Sequence, residues 1–176
     1  PVAGHRISIQ TTTRINKIAG CINTADQGGY GWGRIYPNTY LLSLYDQAKD
    51  TRYNELFVHR FKYNDPTSPK YGELIPLTQS SSYCETLHFM SKKYFDQWTM
   101  ADNPDRTTGF KDLIVYRLAE TYLMAAEAYM RRDGGMSTDA LRCYNKTWER
   151  AGNDKFAGPL TQDILLDEYA RELNFE

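Results

Sequence analysis

Five side chains in one glycine-rich segment have the chemistry needed to bind a sugar. The segment spans residues 28–38 and reads GGYGWGRIYPN. Flat aromatic faces suit the apolar side of a sugar ring, and planar polar groups suit its paired hydroxyls. Glycines next to Trp32 leave its ring uncovered by neighbouring side chains, which favours a stacking platform; the alternative is that Trp32 is the buried anchor of a loop. The five candidates are Tyr30, Trp32, Arg34, Tyr36 and Asn38.

The other two tryptophans receive different predictions. Trp98, in FDQWTMADN, is a further candidate for contact with a ligand. Trp148 follows the apolar stripe of a predicted helix, so we expect it in the core. The tyrosines between residues 116 and 129 are expected there as well.

No arrangement of residues predicts catalysis. Glu120 and Glu127 lie seven positions apart on one helix face. The rise between them is about 10.5 Å, which exceeds the carboxylate separations of glycosidases. The three histidines (His5, His59 and His88) are scattered, and His59 shares a strand face with two phenylalanines, which indicates packing. The chain is therefore predicted not to be an enzyme.

No cofactor and no metal site are predicted either. GGYGWG lacks the GxGxxG spacing of a dinucleotide site. The segment ADNPDRTTG, residues 101–109, departs from a calcium loop by its proline and its spacing. Cys21, Cys84 and Cys143 are far apart and form no CxxC. This argues against structural zinc and against a disulfide framework, and leaves one bonded pair open.

Composition argues against two kinds of partner. The 176 residues carry a formal net charge of −1, which argues against binding to nucleic acid. No run of about 18 apolar residues occurs, so no segment is predicted to span a membrane. A hydrophobic content of 41% is enough for a packed core. The chain begins at Pro1 and ends inside an apparent helix, so we expect a piece of a longer polypeptide.

The sequence changes near residue 110 from a loop-rich portion to one with helical periodicity. These two portions must position the candidate ligand-binding residues. Residues 1–110 are rich in loops and form the candidate ligand-binding surface. Their best strand signal is the alternating segment 53–64, and a short helix is predicted at residues 39–47. Residues 6–15 and 86–95 are weaker strand candidates.

Residues 111–176 predict three helices. The first spans residues 113–132 and carries two adjacent apolar stripes, so we expect it to pack against more than one partner. A Gly-Gly turn separates it from a second helix over residues 138–151, and a third begins after Thr161. The predicted fold class is mostly α: a tetratricopeptide-like α/α stack with a loop-rich portion that carries short β-strands. Both portions are predicted to belong to one larger domain.

The order of five segments resembles the SusD/RagB family of surface lipoproteins from gut-type Bacteroidetes. Residues 38–57 are similar to the family's segment with Leu-Tyr-Asp and Asp-x-Arg, and residues 112–131 match its Tyr-Arg-Leu-Ala-Glu and Ala-Glu-Ala runs. Residues 91–98, 140–152 and 165–176 are similar to its Lys-Tyr segment, its Arg-Ala-Gly helix and its Glu-Leu ending. Trp148 and Tyr169 stand where the family commonly has arginine.

That resemblance implies a function without catalysis. A family member would carry a lipid anchor on an N-terminal cysteine outside this chain and would sit on the outer face of the outer membrane. It would capture a nutrient, usually a glycan and in some members a peptide, and would lid a SusC-like TonB-dependent transporter. The family's ligand aromatics lie on variable loops, so the resemblance assigns no residue to the ligand.

Two rival functions stay open at the level of sequence. One is a helical-repeat scaffold that contacts other proteins, buries its loop aromatics and binds no small molecule. The other is a carbohydrate hydrolase, which needs two carboxylates facing a common cleft.

Overall fold

The computed structural model describes residues 4–77 and 85–176, and the chain forms two compact units. The first unit comprises Pro1–Thr39 and Leu56–Leu113, and the second comprises Tyr40–Glu55 and Ile114–Glu176. The change in sequence character near residue 110 does not by itself indicate that Tyr40–Glu55 belongs with the helices.

The first unit is built from short elements joined by loops. Its first elements are α1 (Ile7–Thr11) and 3-10 turns at Ile15–Lys17 and Ala25–Gln27. The next helix in the chain, α2 (Thr39–Ser43), belongs to the second unit from Tyr40 onward. The first unit then continues with β1 (Phe57–Val58), β2 (Phe61–Lys62), β3 (Leu74–Ile75), β4 (Met90–Ser91) and α3 (Gln97–Asp102). Strand β1 pairs with β4 and β2 pairs with β3, both antiparallel. An isolated bridge joins His5 to Gly109.

Alternating apolar residues supply the core of the first unit. Phe57 and Phe61 are buried, as the alternation in residues 53–64 predicts, but the continuous strand is wrong. A π-helical stretch at Arg52–Leu56 replaces its beginning, because the Arg52 side chain is held by buried ion pairs. The buried cluster consists of Ile15, Cys21, Phe61, Ile75, Leu87 and Met90.

Residues 6–15 do not form the strand that the sequence predicts. They form α1 and part of a 3-10 turn instead, because hydroxyls bond back to the helix. The Ser8 carbonyl oxygen accepts from Thr11 Oγ1 at 3.1 Å and from Thr12 Oγ1 at 2.7 Å. Such bonds satisfy threonine hydroxyls inside the unit. The helix predicted at residues 39–47 is confirmed in part, as α2.

The second unit contains the three predicted helices. They are α4 (Leu118–Asp133), α5 (Thr138–Trp148, continued by a 3-10 turn at Glu149–Ala151) and α6 (Gln162–Leu173). Helix α4 packs against α5, and α6 packs against both. The Ser137 hydroxyl caps α5 and the Thr161 hydroxyl caps α6. The predicted fold class is confirmed: helices dominate, and the strands are short.

Helix α4 begins at Leu118, later than predicted, and this changes the surroundings of Tyr116. Arg117 has an extended backbone, and its guanidinium donates to Glu172 at 2.5 Å and to Glu176 at 2.7 Å. These bonds fix Arg117 outside the helix. Tyr116 is consequently 83% exposed, and its predicted place in the core is wrong.

Small residues allow close helix packing in the second unit. Ala126 of α4 and Ala140 of α5 have no exposed surface. At Gly135, between these helices, a Cβ atom would lie 2.2 Å from the carbonyl oxygen of Leu160, so only glycine fits. The buried cluster consists of Ala126, Ala140, Cys143, Tyr144, Leu160 and Leu165. Tyr122, Tyr129 and Trp148 pack against it partly buried, as predicted.

A buried ion network holds the segment Tyr40–Glu55 to α6. Arg52 donates to both oxygens of Asp50, at 2.9 and 2.7 Å, and to Glu168 at 2.8 Å and Glu172 at 2.9 Å. These four side chains are at most 5% exposed. Buried charges are tolerated only when they are paired in this way.

Glu172 is the most heavily bonded acid of the network. Its carboxylate accepts from Arg117 and Arg150 as well as from Arg52. Burial alone would raise the pKa of Glu172, but the hydrogen bonds from Arg117 and Arg150 lower it to about 2. The carboxylate is therefore ionised at neutral pH and anchors three cations.

Candidate functional site

The backbone of the glycine-rich loop lies against the end of α1. The Trp32 amide donates to the Ile9 carbonyl oxygen at 2.7 Å. At Gly31 a Cβ atom would lie 2.2 Å from the Thr13 carbonyl oxygen, and Gly33 has a positive φ of 59°. The glycines thus permit a close approach of two backbone segments, a role that the sequence interpretation did not assign to them.

The ring of Trp32 is half-buried and carries two cations. The guanidinium carbon of Arg34 lies 4.7 Å from the ring centroid, and that of Arg6 lies 5.6 Å from it. Both distances are within the range of cation–π attraction. Any group that stacks on the exposed part of Trp32 would therefore meet one or both guanidinium groups.

The remaining loop candidates occupy different environments. Tyr36 is half-buried, and its ring centroid lies 4.9 Å from that of the buried His88. Tyr30 is half-buried, and its amide donates to the Pro104 carbonyl oxygen at 2.7 Å. Asn38 is exposed. Asn38 therefore reaches solvent most freely among these three.

Trp98 differs from Trp32 because the residue is 90% exposed. It lies on α3 beside a surface depression of about 560 Å³. The lining residues are Lys92, Phe95, Asp96, Gln97, Trp98, Thr99, Phe110 and Lys111. Aromatic rings, an amide and two ammonium groups thus surround one concave surface, which is the composition expected of a site for a polar ligand with a flat face.

Asp96 positions the short helix that carries Trp98. Its carboxylate accepts from the Thr99 hydroxyl at 2.6 Å, from the Thr99 amide at 3.2 Å and from the Phe110 amide at 2.7 Å. Burial alone would raise the pKa of Asp96, but these hydrogen bonds lower it. Asp96 therefore caps α3 and ties it to the loop that precedes the second unit.

The glycine-rich loop begins beside α3. A Cβ atom at Gly29 would lie 2.6 Å from the sulfur of Met100, a buried residue of α3. Together with the bond from Tyr30 to Pro104, this contact joins the start of the loop to the Trp98 region. All six candidates belong to the first unit: Tyr30, Trp32, Arg34, Tyr36, Asn38 and Trp98.

Several residues of these surroundings were not found from the sequence. Arg6 and His88 contact candidate rings, and Lys92, Phe110 and Lys111 line the depression beside Trp98. Arg6 and His88 are far from their partners along the chain, and the other three lie beyond the two ends of α3. No local pattern marks them, because proximity here is created by folding.

Two of the titratable side chains considered for catalysis, Glu127 and His59, make structural contacts. Glu127 pairs with Arg131 at 2.7 Å along α4. The ring of His59 stacks on Phe89 at 5.5 Å, which confirms the predicted packing, and burial lowers the pKa of His59. Within residues 4–77 and 85–176, no three His, Cys, Asp or Glu side chains are grouped as metal ligands.

Cys21 and Cys143 are buried free thiols, and Cys84 lies outside the described residues. Among the helices of the described ranges, none has the length and apolar character needed to cross a bilayer.

Comparisons with known proteins give one family and one fold. The sequence matches the SusD_RagB model, described as the SusD family, over residues 2–176. The fold is similar to "Surface glycan-binding protein A from Bacteroides uniformis", with 21% identity and a TM-score of 0.59, over 96% of this chain and 32% of that chain. It is also similar to a SusD superfamily protein from Parabacteroides distasonis, with 20% identity and a TM-score of 0.51. That match covers 77% of this chain and 27% of that chain. The chain spans less than a third of either structure, and no curated protein matches it.

Proposed function

We propose a function from one premise: the chain belongs to the SusD family. The proposed function is capture of a glycan at the cell surface, without catalysis, and its delivery to a SusC-like TonB-dependent transporter. The similar structure from Bacteroides uniformis carries a glycan-binding name, which supports this choice of ligand. Family membership supports the transporter as partner and the outer membrane as location, with a lipid anchor outside this chain.

The observation that carries the proposal is the exposure of Trp98. A tryptophan ring has about 150–250 Å² of surface, so its full burial is worth about 4–6 kcal/mol at about 25 cal/mol per Å². With 90% of its surface exposed, Trp98 gains almost none of this within the first unit. A sugar ring stacked on one face recovers about 2 kcal/mol. Asp96 and the buried Met100 hold α3 in place, so the platform is formed before the ligand arrives.

The loop candidates have a second part in the proposed site. Arg34 and Asn38 are exposed and donate to sugar hydroxyls, while the half-buried rings of Tyr30, Trp32 and Tyr36 offer their edges or part of a face. In this proposal residues 1–110 form the ligand-binding surface and residues 111–176 the helical frame, both within one larger domain. Binding rests on stacking and hydrogen bonds, and no bond of the ligand is broken.

Isothermal titration tests the proposal on the protein at its natural length. The panel contains neutral and charged oligosaccharides and peptides. We expect Trp98→Ala to weaken glycan binding by about thirtyfold, which corresponds to about 2 kcal/mol. The matched control is Tyr71→Ala, which removes another exposed aromatic ring from the same unit and should leave affinity unchanged.

Three results would contradict parts of the proposal. No saturable binding to any panel member favours the helical-repeat scaffold. Equal affinity of Trp98→Ala and the wild type removes Trp98 from the site. Chromatographic detection of cleaved oligosaccharide overturns the absence of catalysis.

A further inference from the structure

The two arginines on Trp32 are held by the ring and by no acid. Arg6 and Arg34 are both exposed. In the part of the chain that the structure describes, neither guanidinium has a hydrogen bond or an ion-pair partner; the contacts that place them are those with Trp32, at 5.6 and 4.7 Å. The residues outside that part contain no Asp or Glu. Two full positive charges thus converge on one aromatic ring, and among the described residues their donors meet neither a carboxylate nor a carbonyl oxygen.

The second candidate ring has cations beside it as well. Lys92 and Lys111 line the depression next to Trp98. Among the described residues neither ammonium has a carboxylate within ion-pair distance, and Lys111 Nζ contacts only the Phe95 carbonyl oxygen, at 3.4 Å. Asp96 is the acid of this depression, but it is 8% exposed and its oxygens accept from Thr99 and from backbone amides. The accessible charge beside Trp98 is therefore positive.

The whole first unit has the same sign of charge. It contains eleven Lys and Arg against eight Asp and Glu, a formal charge of +3, whereas the second unit contains ten against fourteen, a charge of −4. The overall value of −1 hides this division. A unit of net positive charge attracts anions and raises their local concentration near its surface.

We propose that the ligand is an anionic glycan, whose carboxylate or sulfate groups bind Arg6 and Arg34 while a sugar face meets the Trp32 ring. This inference rests on the proposed function and names its substrate class. A guanidinium presents two parallel N–H donors that match a carboxylate or a sulfate, and an arginine already stacked on a ring is oriented for this contact. A neutral sugar on Trp32 would instead compete with a cation for the ring and offer the guanidinium only uncharged hydroxyl acceptors in exchange. Lys92 and Lys111 supply point charges for a second acidic sugar of the same glycan, bound beside the exposed ring of Trp98.

Matched ligand pairs test the charge of the ligand without any variant. One pair is an oligogalacturonide and its methyl ester, and the other is a sulfated galactan oligosaccharide and its desulfated form. We expect the anionic member of at least one pair to bind more tightly by about tenfold or more. Its affinity should fall as NaCl rises from about 50 mM to about 500 mM, because the contacts are exposed. A difference in the galacturonide pair indicates that the site binds a carboxylate, and a difference in the galactan pair indicates that it binds a sulfate.

Variants locate the contact. Arg6→Gln with Arg34→Gln should remove about tenfold or more of the affinity for the anionic member and a smaller part of the affinity for the neutral member, so that the preference for the anionic member falls. Arg34→Lys keeps the positive charge but loses the paired N–H donors. Its affinity for the anionic member should therefore lie between those of the wild type and the double variant. The matched control is Lys70→Gln, which removes a cation lying 5.4 Å from the Tyr63 ring of the same unit and should have no effect.

The outcomes separate the two proposals. Equal binding of both members of each pair, or losses in the arginine variants no larger than in Lys70→Gln, overturns the anionic ligand and leaves Trp98-dependent capture in place. Absence of binding to every oligosaccharide overturns the anionic ligand and the proposed function together. The comparison of ligand pairs uses the wild type, so it decides the question even where the double variant fails to fold.

Discussion

Replacing Glu172 by glutamine tests whether the buried ion network stabilises the second unit. The side chain of Glu172 is 2% exposed and accepts hydrogen bonds from Arg52, Arg117 and Arg150. Glutamine has nearly the same shape and keeps one acceptor, but it removes the negative charge. Three arginines then share a neutral partner at a position with little access to water, although the Arg150 side chain itself is 56% exposed.

The structure sets the size of the expected effect. A carboxylate whose pKa falls from 4.5 to about 2 on folding stabilises the folded state by about 3 kcal/mol at neutral pH. Because the folded pKa is the lower one, this contribution is complete above about pH 5 and is lost as the pH falls towards about 2. Removal of one partner from a buried ion pair costs about 3–5 kcal/mol, which agrees with this value.

Urea denaturation of wild type and Glu172→Gln at a series of pH values measures the effect. We expect the difference in unfolding free energy to be about 3 kcal/mol at pH 7 and to shrink towards zero near pH 2. Glu127→Gln is the control, because it breaks an ion pair of the same unit whose arginine is 64% exposed; it should cost about 0.5 kcal/mol or less. A difference for Glu172→Gln below about 1 kcal/mol at pH 7, or one that does not change with pH, would refute the reasoning.

Three other perturbations give sharp expectations. Leu165→Ala removes a side chain with no exposed surface and should cost about 2–5 kcal/mol in chemical denaturation, whereas Leu166→Ala, at a position that is 54% exposed, should cost about 0.5 kcal/mol or less. Asp96→Ala removes the cap of α3 and should lower stability by about 1 kcal/mol and weaken glycan binding in calorimetry by misplacing Trp98; unchanged binding would show that the cap does not position the ring. Gly135→Ala places a methyl group 2.2 Å from a carbonyl oxygen and should lower the thermal midpoint in differential scanning calorimetry; an unchanged midpoint would contradict the close approach.

The helices of the second unit were predictable because local signals decide them. Ser137 and Thr161 cap α5 and α6 as their sequence positions indicate, and Gly134 and Gly152, both with a φ of 88°, stand directly after the last helical residues. Each of these signals acts within one helical turn. A reader of the sequence has all the information that the backbone uses at these points.

The start of α4 and the stretch Arg52–Leu56 were not predictable in the same way. Arg117 leaves the helix because Glu172 and Glu176 hold its guanidinium. Arg52 interrupts an alternating pattern because its partners include Glu168. Both events depend on acids far along the chain, so periodicity in a short window predicts the wrong element.

The sequence proposed the candidate residues by their type, and it did not predict their exposure. Aromatic and planar polar residues marked Trp32, Arg34 and Trp98 from the sequence. That Trp98 is almost fully exposed follows from the way Asp96 and Phe110 fix α3, and that Arg6 joins Arg34 on Trp32 follows from the backbone contacts between α1 and the loop. The ligand and the residues that touch it stay predictions until binding is measured.

The ion network also dictates an order of events during synthesis. Arg52 and Asp50 leave the ribosome almost together and can neutralise each other at once, whereas Glu168 follows Arg52 by 116 residues. The first unit has all of its residues once Leu113 has emerged, with Tyr40–Glu55 excluded from it as a loop. Helix α6 must then bind this loop, which lies more than 100 residues before it in the chain. Bringing two such distant segments together costs chain entropy and is slow. A nascent chain stalled before Glu168 should therefore present a protected first unit and a protease-sensitive Tyr40–Glu55, and protection of that segment should appear only when α6 is complete.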